Sequence, residues 1–562
     1  MTVAQLEEVL SFLHDNGYNA HIDKTKIIIA FEIERRIFHL KCVFPIGFPY
    51  VFPQMYLLEE EYNEIAPLPH VNNDFSICTY DSNVCIPNFK NHLALTKEVI
   101  DKAIKIISEG VRGENEFDFI DEFNAYWRLE ACEFIESIFT PTGKPKRLFC
   151  YYHEANKMNY VSDDRESLTN YLNNLGITVI YDKNFKKCLY LPLNSVMKPP
   201  FPETNLEILL YVKQNSLFYN EYKKFLQQNI GHPVIIVFSQ NVSDSLNLQA
   251  WMHTLLGDSL ISKHSKAKLP GFRNDKINPA VIFQGREGKE KIYRLSVQNM
   301  NLERLFTRGG EGWSSQIESA SIIGCGSVGS LLAETLTVMG TRRLMLIDKE
   351  KLSDENIARH LCGYEYINKP KSDSIKSKLT RHNPNLVCNS FHTNIFDFME
   401  RNLSSVNKYD YIFVAVGSTP IEHLIIEHFL NGEILKPLVL IWVEPFMLGG
   451  HAIVLQKKQD VYQVLFDENY TFTKPIVKAP EKYLKREAGC QSTYIPYSGF
   501  EVRCFLNKVI EYLCNDIIAK GKRGNYLLSY IGRISSAAIY DACINDEWVV
   551  NHDNSLVIKR FD

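Results

Sequence analysis

Leu6, Val9, Leu10 and Leu13 fall at helical spacing and predict an amphipathic first helix. Residues 26–31, 37–44 and 54–58 carry strand-like apolar runs. Between the last two, Pro45, Pro49 and Pro53 stand at every fourth position, which makes a rigid extended crossing. Helical spacing returns at 94–108 and 117–139, the second stretch with Phe119, Phe123, Trp127 and Leu129 on one face. Residues 1–140 therefore read as one α+β domain. A Pro- and Gly-bearing stretch at 141–145 reads as a linker. Beyond it, strand signals at 176–181, 189–193 and 234–238 and helical stretches at 164–175 and 215–229 predict an α/β linker domain over 141–300, of unassigned role. In residues 301–562 a buried strand is expected at 320–323. Leu331, Leu332, Leu336 and Met339 then recur at helical spacing up to Gly340. Further buried strands are expected at 344–347, 411–416 and 438–443. A helix runs from Lys371 to Leu379, another carries Val502, Phe505, Leu506, Val509, Ile510 and Leu513, and the tail at 546–562 looks like strand. The expected fold class is multidomain α/β.

The turn between the strand at 320–323 and its helix holds Gly324, Gly326 and Gly329 in a G-x-G-x-x-G pattern. The next strand ends in Asp348, about 20 residues past the glycines, where a nucleotide-binding βαβ unit places its ribose ligand. Glycines let backbone N–H groups approach phosphate, and the helix N-terminus adds partial positive charge. This pattern alone fits NAD and ATP equally.

Composition narrows the classes. The 562 residues are 45% apolar and 23% charged, an ordinary globular balance that suits several domains. A net charge of −4 gives no global field for nucleic acid. The N-terminus lacks the basic and apolar regions of a signal peptide, and no apolar run is long enough to span a membrane. Thirteen cysteines with no C-x-x-C argue against a zinc ribbon or redox dithiol and suggest reduced thiols in the cytoplasm.

Two cysteines sit where a nucleophile is useful. Cys78 follows Ile77 in a polar, turn-rich loop at 68–81 that also carries His70 and Asn72; Cys85, nearby, fits the same pattern less well. Cys490 lies in a loop of small and charged residues after Lys485 and Arg486 and ahead of a helix, a setting that favours thiolate.

Helix, meander, proline-spaced crossing, His-x-Asn turn and Ile-Cys loop resemble ubiquitin-conjugating enzymes. The resemblance implies that Cys78 carries an acyl group as a thioester and that Asn72 is a candidate oxyanion donor, with Val71 standing where the family has proline. The C-terminal stretch resembles the adenylating enzymes of the ThiF, MoeB and ubiquitin-activating superfamily. Asp348, then Asn356-x-x-Arg359, then Lys371 with Asn383-Pro384 twelve residues later make a series that a dehydrogenase has no need for. The resemblance implies ATP, with Mg²⁺, as the cofactor. Gly324, Gly326 and Gly329 approach its phosphates, Asp348 holds the ribose, and Asn356, Arg359 and Lys371 face the triphosphate. Arg308, in the lead-in, is expected to reach the nucleotide of a neighbouring subunit, as in dimers of that family. Cys490 is then the first acyl acceptor. The family's aspartate after the strand at 411–416 is missing, for residues 416–420 read Val-Gly-Ser-Thr-Pro, so no metal ligands are assigned.

Both modules in this order resemble the bacterial E2–E1 fusions, nearest those of CBASS anti-phage operons. Residues 122–127 (Glu-Phe-Asn-Ala-Tyr-Trp) and the Asn356-x-x-Arg359-His360 run agree with that subgroup. That resemblance implies joining the C-terminus of a cGAS-like nucleotidyltransferase, or of a ubiquitin-like modifier, to an amine on a target protein, by a cytoplasmic homodimer with no nucleic-acid or membrane partner. Two rivals remain at this stage. A ThiF/MoeB-type sulfur-carrier adenylyltransferase leaves Cys78 idle. A nucleotide-binding oxidoreductase or binding module leaves Arg359, Lys371 and Cys490 unexplained.

Overall fold

The computed structural model describes residues 3–72, 74–129, 131–180, 184–230, 232–242, 245–254, 286–309, 316–486 and 493–561. Chain contacts divide it into two units, residues 1–164 with 182–299 and residues 165–181 with 300–562.

The first unit begins with helix α1 (Val3–Asp15) and an antiparallel meander of β1 (Asn19–Asp23), β2 (Lys26–Ile33), β3 (Arg36–Val43), β4 (Gln54–Leu57) and the short β5 (Ser76–Ile77). Alternation sets which face is inside: Ile27, Ile29, Phe38, Leu40 and Cys42 are buried and their neighbours are not. After α2 (Glu59–Ile65), helix α3 (His92–Val111) covers that face. Leu95, Val99, Ile100, Ala103, Ile106 and Ile107 form its apolar stripe, and the Asn91 side chain caps it by accepting the Ala94 N–H at 3.1 Å. β5 pairs Ile77 with Met55 at the sheet edge, so the chain leaves the sheet at Cys78.

The helix expected over 117–139 breaks in three. α4 (Asp118–Asp121) and α5 (Phe123–Leu129) are separated by Glu122, and β6 (Glu133–Ser137) follows. The reason is non-local. The segment after α5 alternates in burial, with Ile135 and Ser137 inside, and pairs in parallel with β12 (Tyr293–Asn299). With β7 (Lys146–His153), β8 (Met158–Ser162), β9 (Phe185–Pro192), β10 (Val234–Val242) and β11 (Ser245–His253), these strands close a barrel in the order β10-β11-β12-β6-β8-β7-β9. Helices Asn205–Asn215 and Tyr219–Gln228 pack on it. The middle segment thus has α/β content, but the sequence reading missed the closed barrel. The strand expected at 176–181 does not form among the described residues: Ile177 and Val179 are buried, but the stretch joins no ladder.

The second unit is a doubly wound sheet. Its order is β15 (Val387–His392), β14 (Arg343–Asp348), β13 (Ser319–Ile323), β16 (Tyr411–Val414), β17 (Leu438–Val443), β18 (Gly449–Leu455), β21 (Asn525–Ile531) and β22 (Ser555–Phe561). The first five are parallel and the last three join antiparallel. Both faces are covered. Ile322, Leu344 and Phe413 join one core while Ile323, Met345 and Val414 join another, as expected for strands buried on both sides. β13 lies between β14 and β16, so the crossovers diverge at its C-terminal end. In open α/β sheets that point is where ligands bind. No described helix is long and apolar enough to cross a membrane.

Candidate functional site

A cavity of about 720 Å³, its open mouth included, lies at that switch point; its lining includes Gly324, Gly326, Asp348, Glu350, Asn394 and Ser418. The glycines have different jobs. Gly324 has φ +91° and lies so close to the Ala415 carbonyl that a Cβ would sit 2.6 Å from it. A Cβ on Gly329 would sit 1.9 Å from the Gly324 oxygen. These two let strand, turn and helix Ser327–Val338 touch. A Cβ on Gly326 meets nothing within 4 Å, and this residue lines the cavity. Gly329→Ala is therefore expected to displace the turn, destabilise the unit by about 1–3 kcal/mol and weaken nucleotide binding. Gly326→Ala should keep the melting temperature and lose nucleotide binding alone. Calorimetric titration with a non-hydrolysable ATP analogue beside a thermal melt checks the pair.

Asp348 is held rigidly. One carboxylate oxygen accepts the Cys325 N–H at 2.7 Å and the other the Glu350 N–H at 2.6 Å. Burial pushes its carboxyl above the usual range, against both hydrogen bonds. Lys371 is 5% exposed and pairs with Glu350 at 2.6 Å, so its ammonium is delivered beside a cavity-lining residue. Asn356 and Arg359 do not line the cavity. The Asn356 carboxamide oxygen accepts from the Ser353 N–H and hydroxyl, each at 3.1 Å, and braces the loop. Arg359 points its guanidinium elsewhere: Nη1 donates to the Ile495 carbonyl at 3.2 Å and the group lies 4.9 Å from the Tyr497 ring centre. Its backbone carbonyl accepts the Ser327 hydroxyl at 2.7 Å, and the His360 ring meets the Cys325 carbonyl at 2.9 Å. The Asn356–His360 segment is thereby tied to the glycine turn. The Arg308 side chain and the whole of Cys490 lie outside the described residues.

The first acid after β16 is Glu422, within helix Thr419–Leu430, and it does not line the cavity. Burial raises its carboxyl to about 7, against hydrogen bonds from the Ser418 and Gly417 N–H groups. Among the described residues no three His, Cys, Asp or Glu side chains converge as a metal group.

In the first unit Cys78 is exposed, and its N–H donates to the His70 carbonyl at 2.8 Å. Partial burial, then the charges of Glu122 and Asp81, raise its thiol above the ordinary range. The exposed Asn72 donates from its side chain to the Ser76 hydroxyl at 2.9 Å. Cys85 is half-buried, and Val84 and Ile86 on either side of it are exposed.

A conjugating-type α+β unit with an exposed loop cysteine and an adenylating-type sheet with a nucleotide cavity stand in one chain. The comparisons agree with each. Residues 20–135 match the prokaryotic E2 family B and residues 298–515 match the ThiF family. The chain is an E2–E1 fusion, a ubiquitin-like activating and conjugating enzyme, and ATP is the nucleotide its ThiF segment implies. Its relatives include two proteins described as ATP-dependent ubiquitin transferase-like protein Cap2. The one from Pseudomonas aeruginosa is 21% identical over 470 residues, 79% of each chain. The one from Escherichia coli is 22% identical over 509 residues, 80% of each chain. Ubiquitin-like modifier-activating enzyme 5 of Arabidopsis thaliana is 36% identical over 77 residues, 14% of this chain and 18% of that one. Among solved structures, E. coli MccB aligns at 15% identity and a TM-score of 0.29, over 44% of this chain and 63% of that one, so the chain spans about three fifths of its length.

Proposed function

We propose that the chain activates a protein C-terminus with ATP and passes it through two cysteines to an amine. In the first step the carboxylate attacks the α-phosphorus, forming an acyl-adenylate and releasing pyrophosphate. The Cys490 thiolate attacks the acyl carbon and AMP leaves. The Cys78 thiolate then displaces Cys490, and an amine displaces Cys78 to give an amide and a free thiol. Gly324, Gly326 and Gly329 are proposed to cradle phosphate, Asp348 to hold ribose, Asn356 to shape the loop, and Arg359 and Lys371 to offset the developing charge. Arg308 is proposed to reach across a homodimer, and Asn72 to turn from Ser76 to the acyl oxygen. Magnesium travels on the ATP phosphates. The functional segments are proposed as 1–140, 141–300 and 301–562, acting in the cytoplasm.

The observation that supports this most is the pairing in one chain of an exposed loop cysteine on a conjugating-type unit with a glycine-turn cavity carrying Asp348 and a buried Lys371. The acyl donor is proposed to be the C-terminus of a cGAS-like nucleotidyltransferase, or of a ubiquitin-like modifier, in an anti-phage system, as the resemblance to the fusion family implies. ATP–pyrophosphate exchange that depends on such a C-terminus is the expected result. Exchange absent with every candidate C-terminus overturns the adenylation reading; exchange followed by no cysteine adduct leaves only a sulfur-carrier type of adenylation.

A further inference from the structure

The barrel has no catalytic motif, yet one short helix connects it to the Cys78 loop within the first unit. Phe123 and Trp127 of α5 are fully buried in the barrel-side core. Their rings stack at 5.6 Å, and both lie edge-on to Phe201 and Phe238. The Trp127 indole N–H donates to the Leu295 carbonyl of β12 at 3.1 Å, and the Gln249 amide of β11 donates to Asn124 at 2.6 Å. The other side of the same segment faces the loop that holds Cys78. Glu122 accepts the His70 backbone N–H at 2.9 Å and faces the imidazole Nδ1 at 2.8 Å. Asp118 faces Nε2 at 3.0 Å, and the Tyr126 hydroxyl lies 2.9 Å from the Leu68 carbonyl and 3.0 Å from Glu122. His70 itself has φ +63°, a left-handed conformation that costs a non-glycine residue free energy unless its surroundings fix it. Its carbonyl is the acceptor for the Cys78 N–H.

We infer that α4 and α5 form a two-faced brace through which the barrel sets the position of Cys78, with His70 and Glu122 as the positioning residues. This rests on the reading of Cys78 as the second acyl acceptor. A loop held only by its own turns would let the thiol wander. A helix fixed on one face by two buried aromatics makes a rigid support for the other. The barrel is then part of the conjugating site.

Among the described residues, the charged groups that face His70 are Glu122 and Asp118. Hydrogen bonding and charge from Glu122, then from Asp118, raise the imidazole above its ordinary value, while burial opposes. Burial of Glu122 is likewise outweighed by His70, which holds that carboxyl low. A raised imidazole gives stabilisation that is full below the ordinary imidazole range and fades as pH rises through the folded value. The charged grip therefore belongs to neutral and mildly acidic pH.

The test uses the full chain and two readouts. Single-turnover transfer from the Cys490 adduct to Cys78 is expected to fall at least about tenfold in Glu122→Ala, with pyrophosphate exchange and the Cys490 adduct kept. Glu122→Gln retains an oxygen for the His70 N–H without the charge. It should match wild type at alkaline pH and drop below it as pH falls. Separately, iodoacetamide labelling of Cys78, followed by peptide mass spectrometry, should quicken about threefold or more in Glu122→Ala, because the loop loosens and a neighbouring negative charge is gone. Unchanged transfer and labelling in Glu122→Ala overturn the brace. So does equal loss in the Ala and Gln variants at every pH with a lowered melting temperature, which marks mere folding damage. If Cys78→Ala still yields amide product, the acyl-acceptor reading fails, and the brace is then decided by whether labelling in Glu122→Ala exceeds that in Glu122→Gln, which loses the charge alone.

Discussion

Cys490→Ala is expected to remove every DTT-sensitive adduct while pyrophosphate exchange stays within about twofold of wild type, since adenylation precedes thiol attack. Cys78→Ala is expected to keep the Cys490 adduct and to bring amide formation below about one thousandth of wild type. The asymmetry follows from the order of bonds made. A mixed anhydride forms and reverses without sulfur, so exchange reads the nucleotide site alone. Each later step needs one thiolate. Cys85 is the nearest competitor in sequence to Cys78, and its replacement should leave all three signals unchanged. The thiol at Cys78 adds a pH test. Partial burial and the charges of Glu122 and Asp81 raise its pKa, so the thiolate fraction at neutral pH is small and transfer to Cys78 should climb as pH rises. Exchange should not follow the same curve. If Cys490→Ala retains a DTT-sensitive adduct that Cys78→Ala loses, the order of transfer is reversed; if neither change alters the adduct, the two-cysteine route is wrong. Quenched-flow gels run with and without DTT separate these outcomes.

What was legible in the sequence is what close neighbours specify. The glycine turn, its strand and helix and Asp348 span a single βαβ unit, and each residue type has a local reason to be there; the sheet built on them follows the expected strands at 344–347, 411–416 and 438–443. The meander and α3 of the first unit were readable for the same reason, from alternation and from a stripe at helical spacing. The barrel was not, because its closure depends on parallel pairs such as Leu295 with Glu133, more than 150 residues apart in sequence. The same distance hid the break in the helix expected over 117–139: its aromatic face is real, but barrel pairing turns residues 133–137 into strand. His70 could be seen as a loop histidine, whereas its two carboxylate partners lie 48 and 52 residues away. Arg359 was singled out by its motif, and its contact with Ile495, 136 residues on, could not be.

That contact underlies the second large effect. Arg359→Ala is expected to lower kcat/KM for ATP in pyrophosphate exchange by about 10²–10³-fold, the scale of losing one fixed donor at a developing charge. Arg359→Lys should recover little of it, since a compact ammonium cannot give phosphate oxygens the paired, planar hydrogen bonds of a guanidinium. The residue is held at both its backbone and its side chain. Its backbone is pinned to the start of helix Ser327–Val338 by the Ser327 hydroxyl, and its Cα lies 3.0 Å from where a Cβ on Gly499 would be. Its guanidinium rests on Ile495 and Tyr497, in the return segment at 495–498 that leads into helix Gly499–Tyr512. β19 (Lys485–Arg486) and β20 (Thr493–Tyr494) pair, and β20 ends just before that segment, so the guanidinium sits beside the end of this strand pair; in sequence Cys490 lies between the two strands. Moving the guanidinium onto phosphate would exchange one neutral acceptor and one ring face for a charged acceptor, a gain in hydrogen-bond strength that ATP itself supplies. Adenylation and the return segment are then coupled: ATP analogue should quicken alkylation of Cys490 in wild type and leave it unchanged in Arg359→Ala. The competing view makes Arg359 a staple for the return segment alone. It predicts a lower melting temperature with exchange within about threefold of wild type, and that result would set the triphosphate role aside.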